Sequence, residues 1–147
     1  MGFTTDERRK MLAKHRRTRT VIFFCLFLTA CGGTDKSSIN TVLDARNAAI
    51  TARDIGIYSD LILPDYIDHG RNKVDVVAQM IHLFDRFDAL DMHSFNREIH
   101  LVDDTHADCA QSYRLKVRSG DRWREMVQRE ELSLERTPAG WKISGGL

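Results

Sequence analysis

The stretch from Ala107 to Leu134 constrains the fold more than any other part of the chain. Ala107, Cys109, Gln111, Tyr113, Leu115 and Val117 alternate with Asp108, Ala110, Ser112, Arg114, Lys116 and Arg118, the period-two pattern of a half-buried strand. Gly120-Asp121 is a favourable two-residue hairpin loop. Closing the turn there sets Ser119 opposite Arg122, Leu115 opposite Met126, Tyr113 opposite Gln128, Gln111 opposite Glu130 and Cys109 opposite Leu132. One face then holds Cys109, Tyr113, Leu115, Met126, Leu132 and Leu134, while the other carries a Lys116–Glu125 pair and a Ser112–Arg129 pair. A slip of one residue would scramble both faces, so the register follows from the pattern.

That register also puts Gln111, Tyr113, Gln128 and Glu130 on the apolar face, where an unpaired polar group costs free energy. Four readings stay open for them: a place toward the open end of that face, a cavity lining that meets a ligand, a mutually satisfied network of Gln111, Gln128 and Glu130, and a dimer interface. The strand before the hairpin, about Met92–Val102, is ambiguous. Phe95, Ile99 and Leu101 favour one face, whereas the loop Asp103–His106 would turn Asn96, Glu98 and His100 toward Cys109. A last strand, Trp141–Ser144, follows the turn Thr137-Pro138-Ala139-Gly140.

Upstream of the strands the period is helical. A helix is expected from Ser38 or Thr41, the latter in capping-box form with Asp44. Ile39, Val42, Leu43, Ala49, Ile50, Ile57 and Leu61 give it a stripe, with a break at Gly56. Leu61–Tyr66 reads as a second short helix around Pro64, followed by a turn at His69-Gly70. Asn72 with Asp75 caps a third, whose stripe is Val76, Val77, Met80, Ile81, Phe84 and Phe87.

The start of the chain has a different character. Seven Lys and Arg against two acids precede Val21, and ten apolar or small residues run from Val21 to Ala30. That is half of the ~20 residues a spanning helix needs, so the segment reads as a secretory signal. Arg16-Arg17 lacks the following apolar residues of a twin-arginine signal, and Met11 is an alternative start to Met1. Leu28-Thr29-Ala30-Cys31 resembles the lipobox of bacterial lipoproteins. The resemblance implies that residues 1–30 are cut away, that the Cys31 thiol is lipidated, and that the lipid is the partner holding the chain to a membrane of the bacterial cell envelope. Gly32 in place of aspartate implies the outer membrane, facing the periplasm. The competing reading is a short core segment that ends in cysteine.

On this division residues 31–37 are a lipidated tether and 38–147 one domain. The part from Cys31 onward has 15 basic and 19 acidic residues, which gives no electrostatic case for nucleic acid. Cys109 is then the one cysteine left, a buried and inert thiol without a disulfide framework.

Three helices followed by an antiparallel meander that ends Gly140-Trp141-Lys142-Ile143 resemble the nuclear-transport-factor-2-like superfamily. The stretch Pro64-Asp65-Tyr66-Ile67-Asp68-His69-Gly70 is similar to the cavity-mouth region of SnoaL-like polyketide cyclases within it. The resemblance implies an α+β fold with a strongly curved, cone-shaped sheet on three helices and an internal cavity, with Tyr66 and His69 at its mouth; the hairpin register adds Gln111, Tyr113, Gln128 and Glu130 to the candidate lining. The expectation leans to a non-catalytic module that binds a small apolar ligand or a partner protein. The alternatives are a cyclase or isomerase using His69 and Glu130 for proton transfer, and a homodimeric scaffold with Trp123 and Val127 exposed on the outer face. His93, His100 and His106 lack zinc-site spacing, and no phosphate-binding loop is present, so neither metal nor cofactor is expected.

Overall fold

The computed structural model describes residues 31–147, with side chains from residue 33 onward. Leu28, Thr29, Ala30 and the Cys31 thiol lie outside the described residues.

The first helix, α1, is Cys31–Ala52, so it begins upstream of Ser38 and takes in the expected tether. Asp35 in its opening turns is buried and pairs with Arg136 at 3.2 Å, which ties the helix start to the sheet. Thr41 is a mid-helix residue whose hydroxyl donates to the Ser37 carbonyl at 3.1 Å. Arg53, in the left-handed region at φ 58°, ends the helix. Asp54 then caps α2, Ile55–Asp60, by accepting from the Ile57 N–H, so the break falls before Gly56.

Residues 61–66 are not helical. Leu63 N–H donates to the Ile143 carbonyl and Ile143 N–H to the Leu61 carbonyl, so the backbone groups a helix would use are spent on the sheet. A two-residue hairpin, β1 (Ile67–Asp68) and β2 (Arg71–Asn72), closes on His69 and Gly70 at φ 48° and 76°. Asn72 forms a full capping box with Asp75 at the start of α3, Lys73–Arg86.

Four strands follow in the order β3 (Ala89–Leu101), β4 (His106–Ser119), β5 (Arg122–Thr137) and β6 (Gly140–Gly145), all antiparallel. The β4–β5 register is the one the alternation requires, from Ser119 opposite Arg122 through Cys109 opposite Leu132. In β3 a bulge between Phe95 and Glu98, with Asn96 at φ 52°, inserts one residue. Ile99 and Leu101 therefore align with Cys109 and Ala107, while Phe95 pairs with Ser112 on the opposite face.

The expected cone is not formed. The sheet is open, its edge strands β3 and β6 do not meet, and the six residues of β6 reach only Ser133 on the sixteen-residue β5. A strand that short cannot line the first half of β5, where residues 122–129 are all exposed.

The helices cover the other face in two apolar clusters. Ile39 and Leu43 pack with Ala107, Cys109, Leu132, Leu134, Trp141 and Ile143. Ala49, Ile50, Tyr58, Tyr66, Val76 and Phe84 pack with Leu90, Met92 and Leu115. Each buried Leu, Ile or Phe contributes about 1.5–3 kcal/mol. Residue 46 of α1 falls between the two clusters, and it is an arginine.

Candidate functional site

Arg46 lies on the buried stripe of α1, three residues after Leu43 and four before Ile50, and its side chain is only 7% exposed. Its Nη1 and Nη2 donate to Glu130 Oε1 and Oε2 at 2.8 and 3.0 Å, a bidentate pair. Gln111, fully buried beside it, donates from Nε2 to Glu130 Oε1 at 2.7 Å and accepts from Arg97 Nε at 2.7 Å. Arg97 continues to Asn40 Oδ1 and Asp44 Oδ1 at 2.8 and 2.9 Å. A polar layer thus joins α1, β3, β4 and β5 between the apolar clusters. Glu130 Oε2 takes one hydrogen bond, from Arg46, where Oε1 takes two. Burial alone would lower the Arg46 pKa, but the Glu130 charge and hydrogen bonds outweigh it, and the net direction is up. Arg46 Nε is buried and has no partner among the described residues.

One step toward the hairpin, Tyr113 Oη donates to Gln128 Oε1 at 2.6 Å. Burial, then the Glu130 charge, raises the Tyr113 pKa above 10.0. Burial raises that of Tyr58 too, with the Arg46 guanidinium opposing. Both are neutral phenols at neutral pH, able to donate. Met126 is 46% exposed and Gln128 is exposed, because no strand lies beside this part of β5. The inner face is therefore open to solvent at its Tyr113–Gln128 end, while Arg46, Gln111 and Glu130 beside it stay buried.

The expected site residues fall into separate groups. Gln111 and Glu130 are joined; Tyr113 and Gln128 bond to each other, so Gln128 is outside the Glu130 network. Tyr66 is buried, and its Oη accepts from Leu147 N–H at 3.0 Å and lies 3.5 Å from Asp68 Oδ2. His69 Nδ1 is 2.8 Å from Asp68 Oδ1, but the ring is 84% exposed at the β1–β2 turn. Gly146 N–H and then His69 hold the Asp68 pKa below its ordinary value. No hydrogen bond or ion pair among the described residues links Asp68–His69 to the Glu130 network. Arg46 and Arg97 were not anticipated. A charged residue at three- and four-residue spacing within an apolar stripe was the available signal for Arg46.

Among the described residues no three His, Cys, Asp or Glu side chains are placed to hold a metal. His106 instead lies 3.0 Å from Asp103. Cys109 is buried, which raises its thiol pKa. Trp123 and Val127 are exposed on the outer face. No described helix is long and apolar enough to cross a membrane.

No family model and no curated protein matches the sequence. Solved structures match the fold. A candidate scytalone dehydratase from Novosphingobium aromaticivorans superposes with a TM-score of 0.70 at 10% identity, over 79% of this chain and 83% of that one. A type 2 hexachlorocyclohexane dehydrochlorinase gives 0.69 at 11% identity, over 79% and 84%. A nuclear-transport-factor-2-like superfamily protein from Salmonella enterica gives 0.68 at 15% identity, over 78% and 89%. The fold is therefore of the nuclear-transport-factor-2-like type, α+β with helices on a four-stranded antiparallel sheet. These neighbours correct the leaning toward a non-catalytic module, because the structures sharing the fold include those named as a dehydratase and a dehydrochlorinase.

Proposed function

We propose that this chain is a lipid-anchored protein of the bacterial envelope whose inner sheet face is an acid–base site. The reaction class is proton removal beside a carbonyl, followed by loss of a leaving group or by reprotonation elsewhere, on a small and largely apolar substrate. The observation that carries this reading is the buried Arg46–Glu130 pair with Arg46 Nε left unpartnered. An unfilled buried donor costs about 1–3 kcal/mol, and a substrate oxygen would fill it once the inner face parts to admit one.

In this arrangement Glu130 Oε2, with its second lone pair free, accepts the proton. Arg46 Nε and the neutral Tyr58 phenol beside it are the donors for the charge that develops on the carbonyl oxygen. Gln111 and Arg97 hold the carboxylate and are positioning residues. The wide exposure of His69 argues against the imidazole as the base. The dehydratase and dehydrochlorinase among the fold's neighbours lend the elimination class its support.

The site is tested with the full chain in mild detergent and a panel of aryl-substituted β-hydroxy ketones, following formation of the conjugated enone in the ultraviolet. Loss of a general base is worth ~10²–10⁴ in rate, so Glu130→Gln should fall by at least ~10². Equal rates for the two proteins across the panel would reject the assignment. The anchor is tested by labelling cells with radioactive palmitate: Cys31→Ser should lose the label and leave the membrane fraction. Label retained in that variant would reject lipidation at Cys31.

A further inference from the structure

The first half of β5 has a free edge that the acid–base site does not use. β6 pairs no further than Ser133, and Gly146 after it packs against the Glu131 carbonyl. From Arg122 to Glu130, β5 therefore has β4 on one side and no described strand on the other. Residues 122–129 are all exposed. The two-residue loop makes Ser119–Arg122 a hydrogen-bonded pair. The Arg136 N–H keeps the same phase at the far end of β5 by donating to the Thr105 carbonyl. Even-numbered residues of β5 thus bond to β4. The N–H and C=O groups of Trp123, Glu125, Val127 and Arg129 point away from it, along the free edge.

We propose that this edge pairs with the same edge of a second copy, antiparallel and centred on Val127. An open edge is a template for another strand, and a twofold closes the pairing because each residue meets its counterpart's partner in both directions. Only registers that join odd-numbered residues bring the outward backbone groups into line. With Val127 on the axis, Glu125 of each copy falls opposite Arg129 of the other on the outer face, and Arg124 opposite Glu130 on the inner face. Sliding one strand by two residues sets Glu125 against Glu131 in one direction. In the other it sets Glu125 against Val127 and Arg129 against Trp123, and the charge pairs on the outer face are lost. Charge complementarity therefore selects a second copy and a single register.

The side chains fit that register. Arg129 is exposed and has no ion-pair or hydrogen-bond partner for its side chain among the described residues. Arg114 at 3.2 Å and Lys116 at 3.9 Å hold the Glu125 carboxylate in place, and a carboxylate with about four lone-pair sites can take a further donor. Val127, 54% exposed, meets its own copy on the axis. The three outward pairs exchange about six backbone hydrogen bonds. Arg114 shares the outer face, but its counterpart is three strand spacings away, ~14 Å, beyond the ~8 Å screening length at physiological salt. The pairing rests on backbone phase and edge charges and stands independently of the acid–base reading.

The test is sedimentation of the full chain in excess mild detergent, where the parent should form a reversible dimer. Arg129→Glu and Glu125→Arg each set two like-charge pairs across the edge and should weaken that dimer at least ~10-fold. Mixing the two variants restores opposite charges at both positions, so the mixture should associate at least ~10-fold more tightly than either variant alone. Chains that merely share a micelle are indifferent to these charges. Val127→Pro removes the outward N–H on the axis, a change an edge strand tolerates, and should also abolish the dimer. Trp141 is buried, and its emission reports an intact fold in each variant. In the parent, dimerisation should slow hydrogen exchange at the Glu125, Val127 and Arg129 amides and leave those of Arg124, Met126 and Gln128 unchanged. A parent still monomeric at ~1 mM would overturn the proposal, as would a mixture that associates no better than its components. A dimer that survives Val127→Pro would overturn it too, and would assign the contact to the outer sheet face.

Discussion

Replacing Glu130 by alanine is the perturbation whose consequence is most tightly set by this structure. The variant leaves the Arg46 guanidinium, 7% exposed, without its counter-charge and takes one acceptor from the fully buried Gln111. Breaking a buried pair by removing one partner costs about 3–5 kcal/mol, because the remaining charge is uncompensated. At a urea slope of about 2 kcal/mol per molar the unfolding midpoint falls by roughly 2 M. The paired substitution Arg46→Met with Glu130→Leu removes both charges and keeps the volume, so it should recover most of that loss. A residual deficit of about 1–2 kcal/mol would remain from the unfilled Gln111 donor. The assay is urea unfolding followed by the emission of buried Trp141, with the two single variants and the double in one cycle. A loss below about 1 kcal/mol in Glu130→Ala, or a double variant as unstable as the sum of the singles, would mean that the buried pair does not behave as a coupled charge pair.

Two further outcomes concern the β3 bulge and the β3–β4 loop. Asn96 holds the β3 bulge at φ 52°, so Asn96→Val should destabilise by about 1–3 kcal/mol, while Asn96→Gly stays within about 1 kcal/mol of the parent or exceeds it; thermal unfolding distinguishes the two. Asp103 accepts from the Thr105 backbone and hydroxyl and from His106, which holds its carboxyl well below the ordinary 3.8. A depressed carboxyl contributes stability above its unfolded pKa and loses it as the pH falls through the folded value. The stability gap between the parent and Asp103→Asn should therefore be full at neutral pH and shrink below about pH 4, as unfolding measured across that range would show; a gap that widens in acid would contradict it.

The parts legible in the sequence are those set by local rules. Gly120-Asp121 and the strict alternation around it fix the β4–β5 register, and Asn72 with Asp75 fixes the start of α3. The His69-Gly70 turn follows because both residues tolerate positive φ. Where tertiary contacts decide, pattern fails. Leu61–Tyr66 has helical spacing, yet its backbone pairs with Ile143, which is 80 residues away in the chain. The bulge at Asn96 adds one residue to β3, and no apolar periodicity marks where alternation will shift. Arg46 was overlooked because an apolar stripe is traced through its apolar members, and the charge in the gap becomes meaningful only when Glu130 is found across from it. The cone failed on length: β6 runs from Gly140 to Gly145 and cannot follow β5 to its beginning.

The most direct measurement of the central claim isolates the proton transfer from any leaving group. The full chain is incubated with an apolar ketone such as tetralone in deuterium oxide, and loss of the α-proton signal is followed by NMR for the parent and Glu130→Gln. Exchange in the parent should exceed the rate without protein, with at least ~10² less of that excess in the variant. Exchange that is equal in the two proteins, or no faster than without protein in either, would contradict Glu130 as the base.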